Sequence, residues 1–334
     1  MMKCAVIILN WNGEKYLDQF LPSVVKYSQT DDISVVVADN GSTDNSIELI
    51  RNHYPTIQLL PLSENYGFAE GYNQAIRQIE TEYVVLLNSD VEVTEHWLEP
   101  MLDYMDAHRD VVACQPKIRA YKNRTHFEHA GAAGGMMDKF GYPYCRGRIV
   151  GFADEDHGQY DTICNIFWAT GACMLIRRDA YLNNGGLDKD FFAHQEEIDL
   201  CWRLLCRGYK IVCIPQSIVY HVGGASLSYQ NPRKTYLNFR NNMLLLYKNL
   251  PADKLWRIML IRFFMDYAAA AQFLITGQWQ NFQMVFKARH DFHRMRKSFA
   301  PKRADNLSKT TIAYPAEISN RSIIIDYYLK GKRQ

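Results

Sequence analysis

The sequence predicts an α/β domain with a mostly parallel central sheet, helices on both faces of that sheet, and a helical extension at the C-terminal end. Short apolar runs alternate with amphipathic, helix-length segments through the first third of the chain, which is typical of such a sheet. Hydrophobic residues make up 48% of the 334 residues, which suits a large packed domain. Beyond residue 231 the pattern becomes helical and more aromatic.

The alternation assigns each element in turn. Strands are predicted at residues 5–9, 34–38, 57–60 and 83–87, and helices at 15–27, 44–53 and 69–79. Asp44 lies near the start of the second helix, with Ser42 or Thr43 as its N-cap. Regular structure is predicted to resume at residues 172–177, at a helix that starts near Glu196, and at residues 211–214.

The chain divides near residue 230. Residues 1–230 form the predicted α/β domain, in two halves of 1–100 and 101–230, and residues 231–334 form the helical extension with a basic segment. Periodicity fades at residues 120–165, where glycines, aromatics and charges mix, so a long irregular loop is predicted there. Such loops on α/β proteins often carry function.

Charge and cysteine content exclude several classes of protein. A formal net charge of +2 lacks the basic footprint of a nucleic-acid-binding protein. The eight cysteines include no C-x-x-C pair, so they are predicted to be core residues in a reducing compartment. The first 13 residues hold one lysine and a short apolar run, too little for a secretory signal. No stretch reaches the roughly 20 clean apolar residues of a spanning helix, and a cytoplasmic location is expected.

Polar residues follow the four N-terminal strands at their carboxyl ends, where ligands gather in an open parallel sheet. One such cluster is an ordinary turn, but four in register indicate a binding site. An ionised Asp39 only accepts hydrogen bonds, which suits a base imide or a ribose hydroxyl. Gly67 and Gly71 leave room for a ligand against the backbone, although their spacing matches no dinucleotide or P-loop motif. The candidate binding residues are Asn10, Asn12, Asp39, Asn65, Gly67, Gly71, Asn73, Asn88 and Ser89.

Asp90 and His221 are the candidate metal ligands. Asp90 ends the fourth polar cluster, and His221 follows a later strand-like run. Mg²⁺ or Mn²⁺ at such a carboxylate neutralises the charge that grows on a diphosphate leaving group, and an imidazole ligand favours Mn²⁺. The alternative for His221 is a buried, hydrogen-bonded core histidine.

Glu196, Glu197 and Asp199 form the densest group of carboxylates. Glu196 and Asp199 share one helical face, and Glu197 lies about 100° away from them. Crowded carboxylates raise one another's pKa, which suits a proton acceptor near neutral pH, and Glu197 is the candidate base. The alternative is a solvated helix start at which acidic residues interact favourably with the helix dipole.

Several separated motifs occur in a characteristic order. They are Ile-Leu-Asn-Trp-Asn (8–12), Val-Ala-Asp-Asn-Gly-Ser-Thr-Asp (37–44), Asn-Tyr-Gly-Phe-Ala-Glu-Gly-Tyr-Asn (65–73), Leu-Leu-Asn-Ser-Asp (86–90), Thr-Gly-Ala-Cys-Met-Leu-Ile-Arg-Arg (170–178), Gly-Gly-Leu-Asp-Lys-Asp-Phe-Phe (185–192), Glu-Glu-Ile-Asp-Leu-Cys-Trp-Arg (196–203) and Tyr-His-Val-Gly-Gly-Ala-Ser (220–226). Over roughly residues 3–250 the chain resembles the family 2 nucleotide-sugar glycosyltransferases, which have the GT-A fold. The most similar subgroup is rhamnosyltransferase-like and includes enzymes of bacterial cell-surface polysaccharide synthesis.

The resemblance implies a hexosyltransferase that moves a sugar from a nucleotide-diphospho-sugar to an acceptor hydroxyl with inversion. Residues 1–100 then bind the donor, residues 101–230 bind a saccharide or lipid-linked saccharide acceptor, and Mn²⁺ or Mg²⁺ is the cofactor. Asp39 contacts the nucleoside, Asp90 holds the metal at the Asp-x-Asp position, His221 lies near the metal and the diphosphate, and Glu197 is the base.

Two positions depart from the family pattern. Asn88 replaces the first carboxylate of the Asp-x-Asp pair, which leaves one charge fewer at the metal. The base position holds Glu197 rather than the more usual Asp, so the acceptor is expected slightly farther from the helix. Trp168, with Gly171 and Ala172, is a candidate contact for a sugar ring, and the alternative for Trp168 is a core residue.

Two other functions are compatible with a similar sheet. A sugar nucleotidyltransferase should open with a Gly-rich loop that carries Arg and Lys, whereas residues 9–15 offer only Gly13 and Lys15. A non-catalytic nucleotide-sugar-binding protein would keep Asp39 but would need no carboxylates at positions 196 and 197.

The C-terminal hundred residues combine an apolar segment with a basic one. Residues 255–275 are rich in Leu, Ile, Phe and Met, interrupted by Arg257, Arg262 and Asp266, and residues 287–303 hold seven Lys or Arg against one acid, Asp291. This combination suits peripheral contact with the cytoplasmic face of the inner membrane, where a lipid-linked acceptor would lie. The alternative is that these helices pack on the α/β domain or on a second subunit, as in a homodimer.

Overall fold

The computed structural model describes residues 2–149, 151–223, 231–328 and 330–331. The N-terminal elements are β1 (Met2–Asn10), α1 (Glu14–Ser28), β2 (Ile33–Asp39), α2 (Ser46–His53), β3 (Gln58–Pro61), α3 (Gly67–Arg77), β4 (Thr81–Asn88), β5 (Val91–Val93) and α4 (Glu99–Ala107). The middle elements are β6 (Val111–Ala120), β7 (Asn123–Phe127), β8 (Gly135–Asp138), β9 (Pro143–Cys145), β10 (Arg148–Ile149), β11 (Phe152–Ala153), β12 (Cys164–Asn165), β13 (Cys173–Arg177), α5 (Arg178–Asn183), α6 (Glu196–Cys206) and β14 (Lys210–His221). The C-terminal elements are α7 (Pro232–Asn249), α8 (Ala252–Ile275), α9 (Trp279–Ser308), β15 (Ile318–Ser319) and α10 (Ile323–Tyr328).

The central sheet has the strand order β12-β14-β6-β13-β4-β1-β2-β3, with β5 paired to β14 and β7 paired to β6. β1 is parallel to β2 and β4, β2 to β3, and β14 to β6. β13 runs antiparallel between β4 and β6. The predicted mostly parallel sheet is therefore confirmed, and the carboxyl ends of β1 to β4 lie along one edge.

Helices cover both faces of this sheet because successive side chains of each strand point to opposite sides. Along β1, Cys4 and Val6 belong to one buried apolar cluster, and Ala5 and Ile7 belong to the other. The first cluster includes buried residues of α1 and α4, and the second includes buried residues of α3, α6 and α7. The predicted alternation of strands and helices is confirmed in this part of the chain.

The segment 120–165 differs from its prediction. Instead of a long irregular loop it contains the short strands β7 to β12, each two to five residues long. Four strands of this region pair with the C-terminal β15 in a second sheet of order β11-β10-β9-β8-β15. Strands this short carry no detectable sequence period, which is why the pattern predicted a loop.

Two local predictions have different outcomes. Neither Ser42 nor Thr43 caps α2, which begins later, at Ser46; Asp44 Oδ1 instead accepts a hydrogen bond from the Ser46 amide at 3.1 Å. The prediction for the cysteines is confirmed, since all eight are free thiols and seven of them are buried.

The C-terminal helices pack on the α/β domain through buried ion pairs. Lys248 of α7 lies 2.7 Å from Asp188 and 2.8 Å from Asp199. Lys302 of α9 lies 2.5 Å from Asp188 and 2.7 Å from Asp190. Part of the predicted basic segment therefore stabilises the contact between the helices and the domain, as in the alternative interpretation of that segment.

Candidate active site

The loops after β1 and β2 are joined by hydrogen bonds around Asp39. Asn10 Nδ2 donates to Asp39 Oδ1 (3.1 Å) and to Ser42 Oγ (3.2 Å), and the Ser42 amide donates to Asp39 Oδ2 (3.0 Å). Asn12 Oδ1 adds a second link by accepting from the Thr43 amide at 2.7 Å. Asp39 is buried, but each carboxylate oxygen keeps a further acceptor site. Asn10, Asn12 and Asp39 are thus brought together, as predicted.

Gly13 brings the start of α1 against the ends of β1 and β4. A Cβ at Gly13 would lie 2.4 Å from Asn10 Oδ1 and 3.6 Å from Ser89 Oγ. Ser89 is therefore close to Asn10, and the polar clusters after the first and fourth strands face each other. The Oδ1 atom of Asn10 is buried and has no hydrogen-bond partner among the described residues.

Asn40 joins the loops after β2 and β3, and the sequence pattern did not single it out. Its Nδ2 donates to Asn65 Oδ1 and to the Gly67 carbonyl, both at 3.1 Å, and its Oδ1 accepts from the Tyr66 amide at 3.0 Å. The candidates Asn65 and Gly67 are thereby held beside the Asp39 loop. No sequence pattern indicates this role, because an Asn beside a glycine is usually a simple turn residue.

Gly71 and Asn73 both contact other parts of the fold. A Cβ at Gly71 would lie 2.9 Å from both Cδ atoms of Leu9, so α3 packs closely on β1 at this glycine. Asn73 Oδ1 accepts from the Tyr181 hydroxyl (2.7 Å) and the Leu187 amide (3.0 Å), and its Nδ2 donates to the Leu187 carbonyl (2.8 Å). These buried bonds connect α3 to the segment after α5.

Trp168 is a core residue, so its predicted stacking on a sugar ring is not supported by its position. Its side chain is buried, and Nε1 donates to the Met136 carbonyl at 3.0 Å. A Cβ at Gly135 would lie 2.2 Å from the indole, which shows that the ring packs directly on that backbone. The exposed aromatic side chains in this region are Trp11 and Phe192 instead.

The segment before β13 connects the end of β4 with α6. The Asn88 amide donates to the Ala172 carbonyl at 3.0 Å, and the Ala169 amide donates to Cys201 Sγ of α6 at 3.4 Å. Gly171 and Ala172 are both buried. This segment therefore lies between the end of β4 and the middle of α6.

Asp90 and His221 are adjacent, as the sequence predicted. Asp90 Oδ1 lies 3.1 Å from His221 Nε2, and Glu128 Oε2 lies 3.1 Å from His221 Nδ1. All three side chains are buried. Burial opposes a charged imidazole, but the hydrogen bonds to Asp90 and Glu128 outweigh it and raise the pKa of His221 to about 10. Glu128 was missed from the sequence because it follows a short strand inside the predicted loop.

Glu196 and Glu197 begin α6; Glu196 is buried and Glu197 is partly buried. The Oε2 atom of each is buried and has no hydrogen-bond partner among the described residues. Burial raises the pKa of Glu197 to about 7, against the opposing effect of backbone amides at the helix start. Burial, together with the charge of Glu197, raises the pKa of Glu196 well above its ordinary value. Near neutral pH Glu197 can therefore accept a proton, and the protonated form of Glu196 is favoured.

The backbone before these two carboxylates is strained. Phe192, His194 and Gln195 all have positive φ angles, of 70°, 69° and 74°, which side-chain-bearing residues rarely adopt. Asn241 of α7 holds this turn: its Nδ2 donates to the carbonyls of Phe191 (2.9 Å), Ala193 (2.8 Å) and His194 (2.8 Å). The C-terminal extension therefore fixes the position of Glu196 and Glu197.

Asp199 differs from its predicted catalytic role. It is fully buried; its Oδ2 accepts from Arg203 Nε and Lys248 Nζ, both at 2.8 Å, and its Oδ1 accepts from Asn249 Nδ2 at 2.9 Å. These cations and the amide stabilise the ionised form despite the burial, and the pKa of Asp199 is lowered. Asp199 anchors α6 to α7.

Lys234, in the first turn of α7, is coupled to both sides of the site. Burial and the charge of Lys234 lower the pKa of His194, three residues before Glu197, to about 4. Burial and the charge of Arg148 lower the pKa of Lys234 itself, and the charge of Glu128 opposes this effect. Lys234 therefore interacts electrostatically both with His194, which precedes α6, and with Glu128, which contacts His221.

Comparison with known proteins identifies the family to which the chain belongs. Residues 5–183 match the family described as glycosyl transferase family 2. The chain is 27% identical over 232 residues to an N-acetylglucosaminyl-diphospho-decaprenol L-rhamnosyltransferase of Mycobacterium tuberculosis, covering 65% of this chain and 75% of that protein. This confirms the rhamnosyltransferase-like resemblance.

Two solved structures share the fold. TarS 1–349 of Staphylococcus aureus, in complex with UDP-GlcNAc, matches with a TM-score of 0.58 at 16% identity, covering 92% of this chain and 89% of that one. The mannosyltransferase PcManGT of Pyrobaculum calidifontis, in complex with GDP-Man and Mn²⁺, matches with a TM-score of 0.52 at 14% identity, covering 92% and 85%. The chain therefore belongs to glycosyl transferase family 2 and is a glycosyltransferase with the GT-A fold.

Proposed function

We propose that the protein transfers a sugar from a nucleotide-diphospho-sugar to an acceptor hydroxyl in one inverting displacement, in the synthesis of a bacterial cell-surface polysaccharide. The observation that carries this proposal is the start of α6. A partly buried carboxylate with a pKa of about 7, Glu197, follows a strained turn there, and the same α/β domain contains the Asp90–His221 pair. A scaffold that only binds a nucleotide sugar has no need of such a group.

The donor set at Asp90 and His221 fits a divalent cation. A carboxylate oxygen and an imidazole nitrogen converge at 3.1 Å, and this combination suits Mn²⁺. No group of three or more acidic, His or Cys side chains that could hold a metal occurs in the described parts of the chain. Two protein ligands are sufficient when the donor's phosphates and water complete the coordination, as is common for hard cations at nucleotide sites. The bound cation would neutralise charge on the leaving diphosphate.

The transfer step uses Glu197 as the proton acceptor. The acceptor hydroxyl loses its proton to the Glu197 carboxylate while its oxygen forms a bond to the anomeric carbon of the donor sugar. The bond from that carbon to the diphosphate oxygen breaks on the opposite face, and the electron pair leaves with the nucleoside diphosphate. The raised pKa of Glu196 favours its protonated form, which could donate a hydrogen bond to a substrate oxygen. Positioning of both substrates supplies much of the rate enhancement.

The donor contacts lie along the sheet edge. Asp39 and the amide-rich loops of Asn10, Asn12 and Asn65 bind the nucleoside, and Asn88 and Ser89 bind next to the diphosphate. Gly67, at the positive-φ start of α3, leaves the same edge free of a side chain, and its amide donates to Asn65 Oδ1 at 2.9 Å. Gly171 and Ala172, beside Asn88, border the sugar.

The acceptor is a saccharide carried on a lipid diphosphate. This assignment draws on the relative from M. tuberculosis, whose name specifies a lipid-linked acceptor. Positive charge from Arg148 and Lys234 beside the site suits a diphosphate group. In this proposal, residues 1–100 bind the donor and residues 101–230 bind the acceptor.

The proposal is tested with a panel of nucleotide sugars that includes UDP-GlcNAc, GDP-mannose and nucleotide-activated L-rhamnose. One donor is expected to raise the melting temperature by mass action, more strongly with Mn²⁺ than without it. That donor should then give an inverted glycoside with a lipid-diphosphate saccharide. Retention at the anomeric carbon, or a donor that binds with no transfer to any such acceptor, would contradict the proposal.

A second part of the proposal is that the protein works at the cytoplasmic face of the inner membrane. The eight free cysteines suit a reducing compartment. By length and composition α8 is the one helix, among those described, that is apolar enough to cross a membrane, and 22% of its most apolar window is buried in the protein. Arg262 and Asp266 within it are buried, and Asp266 pairs with Arg289 of α9 at 3.1 Å, so α8 is also bound to the rest of the chain.

The outer side of α8 exposes a continuous apolar stripe. Trp256 is 70% exposed and Ile275 is 85% exposed, and about 28 Å of helix separates them. The α8 face, as we call it, consists of Trp256, Leu260, Phe263, Phe264, Leu274 and Ile275, continued on α9 by Trp279 and Phe286. Tryptophans at both ends and an exposed Arg257 are typical of a helix lying in the interface of an anionic bilayer.

Vesicle flotation tests this placement. Full-length protein should float with vesicles of anionic phospholipid, and the triple variant Trp256→Ser, Phe264→Ser, Ile275→Ser should remain in solution. Ile312→Ser, which removes an exposed apolar side chain elsewhere, is the matched control and should float like the wild type. Flotation of the triple variant would refute the membrane role of the α8 face. The membrane role would also be refuted if the wild-type protein forms a homodimer through this face and does not float with vesicles.

A further inference from the structure

Glu128 is a buried carboxylate that the proposed transfer step does not use. It follows β7 directly, and only 4% of the residue is exposed. Burying an ionised carboxylate is costly unless hydrogen bonds compensate for the lost water. Two groups do so here: the Ala130 amide donates to Glu128 Oε2 at 2.5 Å, and His221 Nδ1 lies 3.1 Å from the same oxygen.

Two other contacts also hold the Glu128 carboxylate in place. The Glu128 amide donates to the Ile118 carbonyl at 3.0 Å, which fixes the backbone beside β6. A Cβ at Gly223 would lie 2.4 Å from Glu128 Oε1, so the other carboxylate oxygen fills the space that a side chain there would need. Gly223 also has a φ of +68°, which favours glycine. The chain thus leaves room for a carboxylate at this point.

The ring of His221 lies between two carboxylates. Its Nδ1 faces Glu128, and its Nε2 faces Asp90. A histidine binds a metal through one nitrogen, and the other nitrogen then carries a proton that needs an acceptor. Glu128 is placed to be that acceptor, so that Nε2, the nitrogen that faces Asp90, would be the one to bind a cation.

Building on the proposed function, we infer that Glu128 is a positioning residue that fixes the tautomer and orientation of His221 for divalent-cation binding. It acts through His221 and touches neither the cation nor the substrate. Carboxylates that orient metal-binding histidines in this way typically change metal affinity by about 10- to 100-fold when they are replaced. The same loss is expected here.

The test measures Mn²⁺ binding directly, from the electron paramagnetic resonance signal of free Mn²⁺, with full-length protein and with UDP as the diphosphate probe. Glu128→Gln should weaken Mn²⁺ binding by about 10- to 100-fold. Glu70→Gln is the matched control, because Glu70 also accepts several side-chain hydrogen bonds but contacts neither His221 nor Asp90. It should bind Mn²⁺ like the wild type. Gly223→Ala, which pushes on Glu128 Oε1, should weaken binding in the same direction and provides a second variant if Glu128→Gln does not fold.

A double variant separates positioning from general structural damage. In a His221→Ala background, Glu128→Gln should cause no further loss of Mn²⁺ affinity, because residues that act through one another are not additive. Wild-type affinity in Glu128→Gln, an equal loss in both backgrounds, or a wild type that binds no Mn²⁺ would overturn the inference. A wild type that binds Mn²⁺ yet transfers no sugar would contradict the proposed function alone.

Discussion

Replacing Glu197 with Gln is expected to lower kcat by about 10²- to 10⁴-fold, the usual contribution of a general base. Glutamine keeps the size of the side chain but cannot take the acceptor proton. Donor binding should be nearly unchanged, because the proposed donor contacts lie along the sheet edge. The measurement is steady-state transfer with the donor found in the panel, together with donor affinity by calorimetry. Glu197→Asp, which restores the family's more usual residue, should recover part of the activity.

The pH dependence gives an independent check on Glu197. The base must be ionised, so kcat of the wild type should rise with pH through about 7 and then level off, and this rise should be absent from the residual activity of Glu197→Gln. Because the pKa is raised in the folded protein from an ordinary value of 4.5, the favourable effect on stability is present below pH 4.5 and is lost as the pH rises through 7.

The raised pKa of Glu197 also predicts how the stability of Glu197→Gln differs from that of the wild type. Glu197→Gln should melt at a higher temperature than the wild type at pH 8, where the wild type buries a charge, and this advantage should vanish at pH 4. A variant that is less active yet more stable is the signature of a group held in an unfavourable setting for function. Unchanged turnover in Glu197→Gln, or a wild-type kcat that falls across this range, would remove the base assignment.

Asp90→Asn is expected to lower kcat/KM on the order of 10³-fold, because a cation at a leaving diphosphate supplies several kcal/mol of stabilisation. The effect should be large since Asn88 already leaves the site with a single carboxylate at the Asp-x-Asp position. The variant also removes one of the two carboxylates that hold His221. The measurement is the rate of transfer as a function of Mn²⁺ concentration, and the variant should show little response.

Glu92→Gln is the matched control for Asp90→Asn. Glu92 lies two residues away on β5 and pairs with Arg124 at 2.8 Å, so its replacement removes a nearby charge without touching His221. It should retain the Mn²⁺ response of the wild type. The same Mn²⁺ dependence in Asp90→Asn as in the wild type would show that Asp90 does not hold the cation.

The parts of the fold that could be predicted are those that depend on the local sequence pattern. The strands that become β1, β2 and β4 are apolar runs with polar residues at their carboxyl ends, and the sheet brings those ends together as expected. The same reasoning brought His221 to Asp90, because each follows a strand of one sheet and β14 pairs with β5. The alternation of strands and helices in the sequence therefore predicts well which residues lie along one edge of the sheet.

The errors arose where distant partners decide the role of a residue. Asp199 shares a helical face with Glu196, but Lys248, 49 residues later, makes it a structural anchor. Trp168 is buried because Gly135 lets its ring approach the backbone, and Asn73 is occupied by Leu187, 114 residues away. Glu128 went unnoticed for the same reason, since only the return of β14 brings His221 to it. Spacing within one segment holds no information on such contacts.

The most direct test of the account is the position of the cation. In a crystal of the protein grown with Mn²⁺ and a nucleoside diphosphate, the anomalous signal of Mn²⁺ should lie between the Asp90 carboxylate and His221 Nε2, in a cleft that also contains the Glu197 carboxylate. Mn²⁺ bound elsewhere with nucleotide present, or at Asp90 in a cleft that Glu197 does not enter, would contradict it.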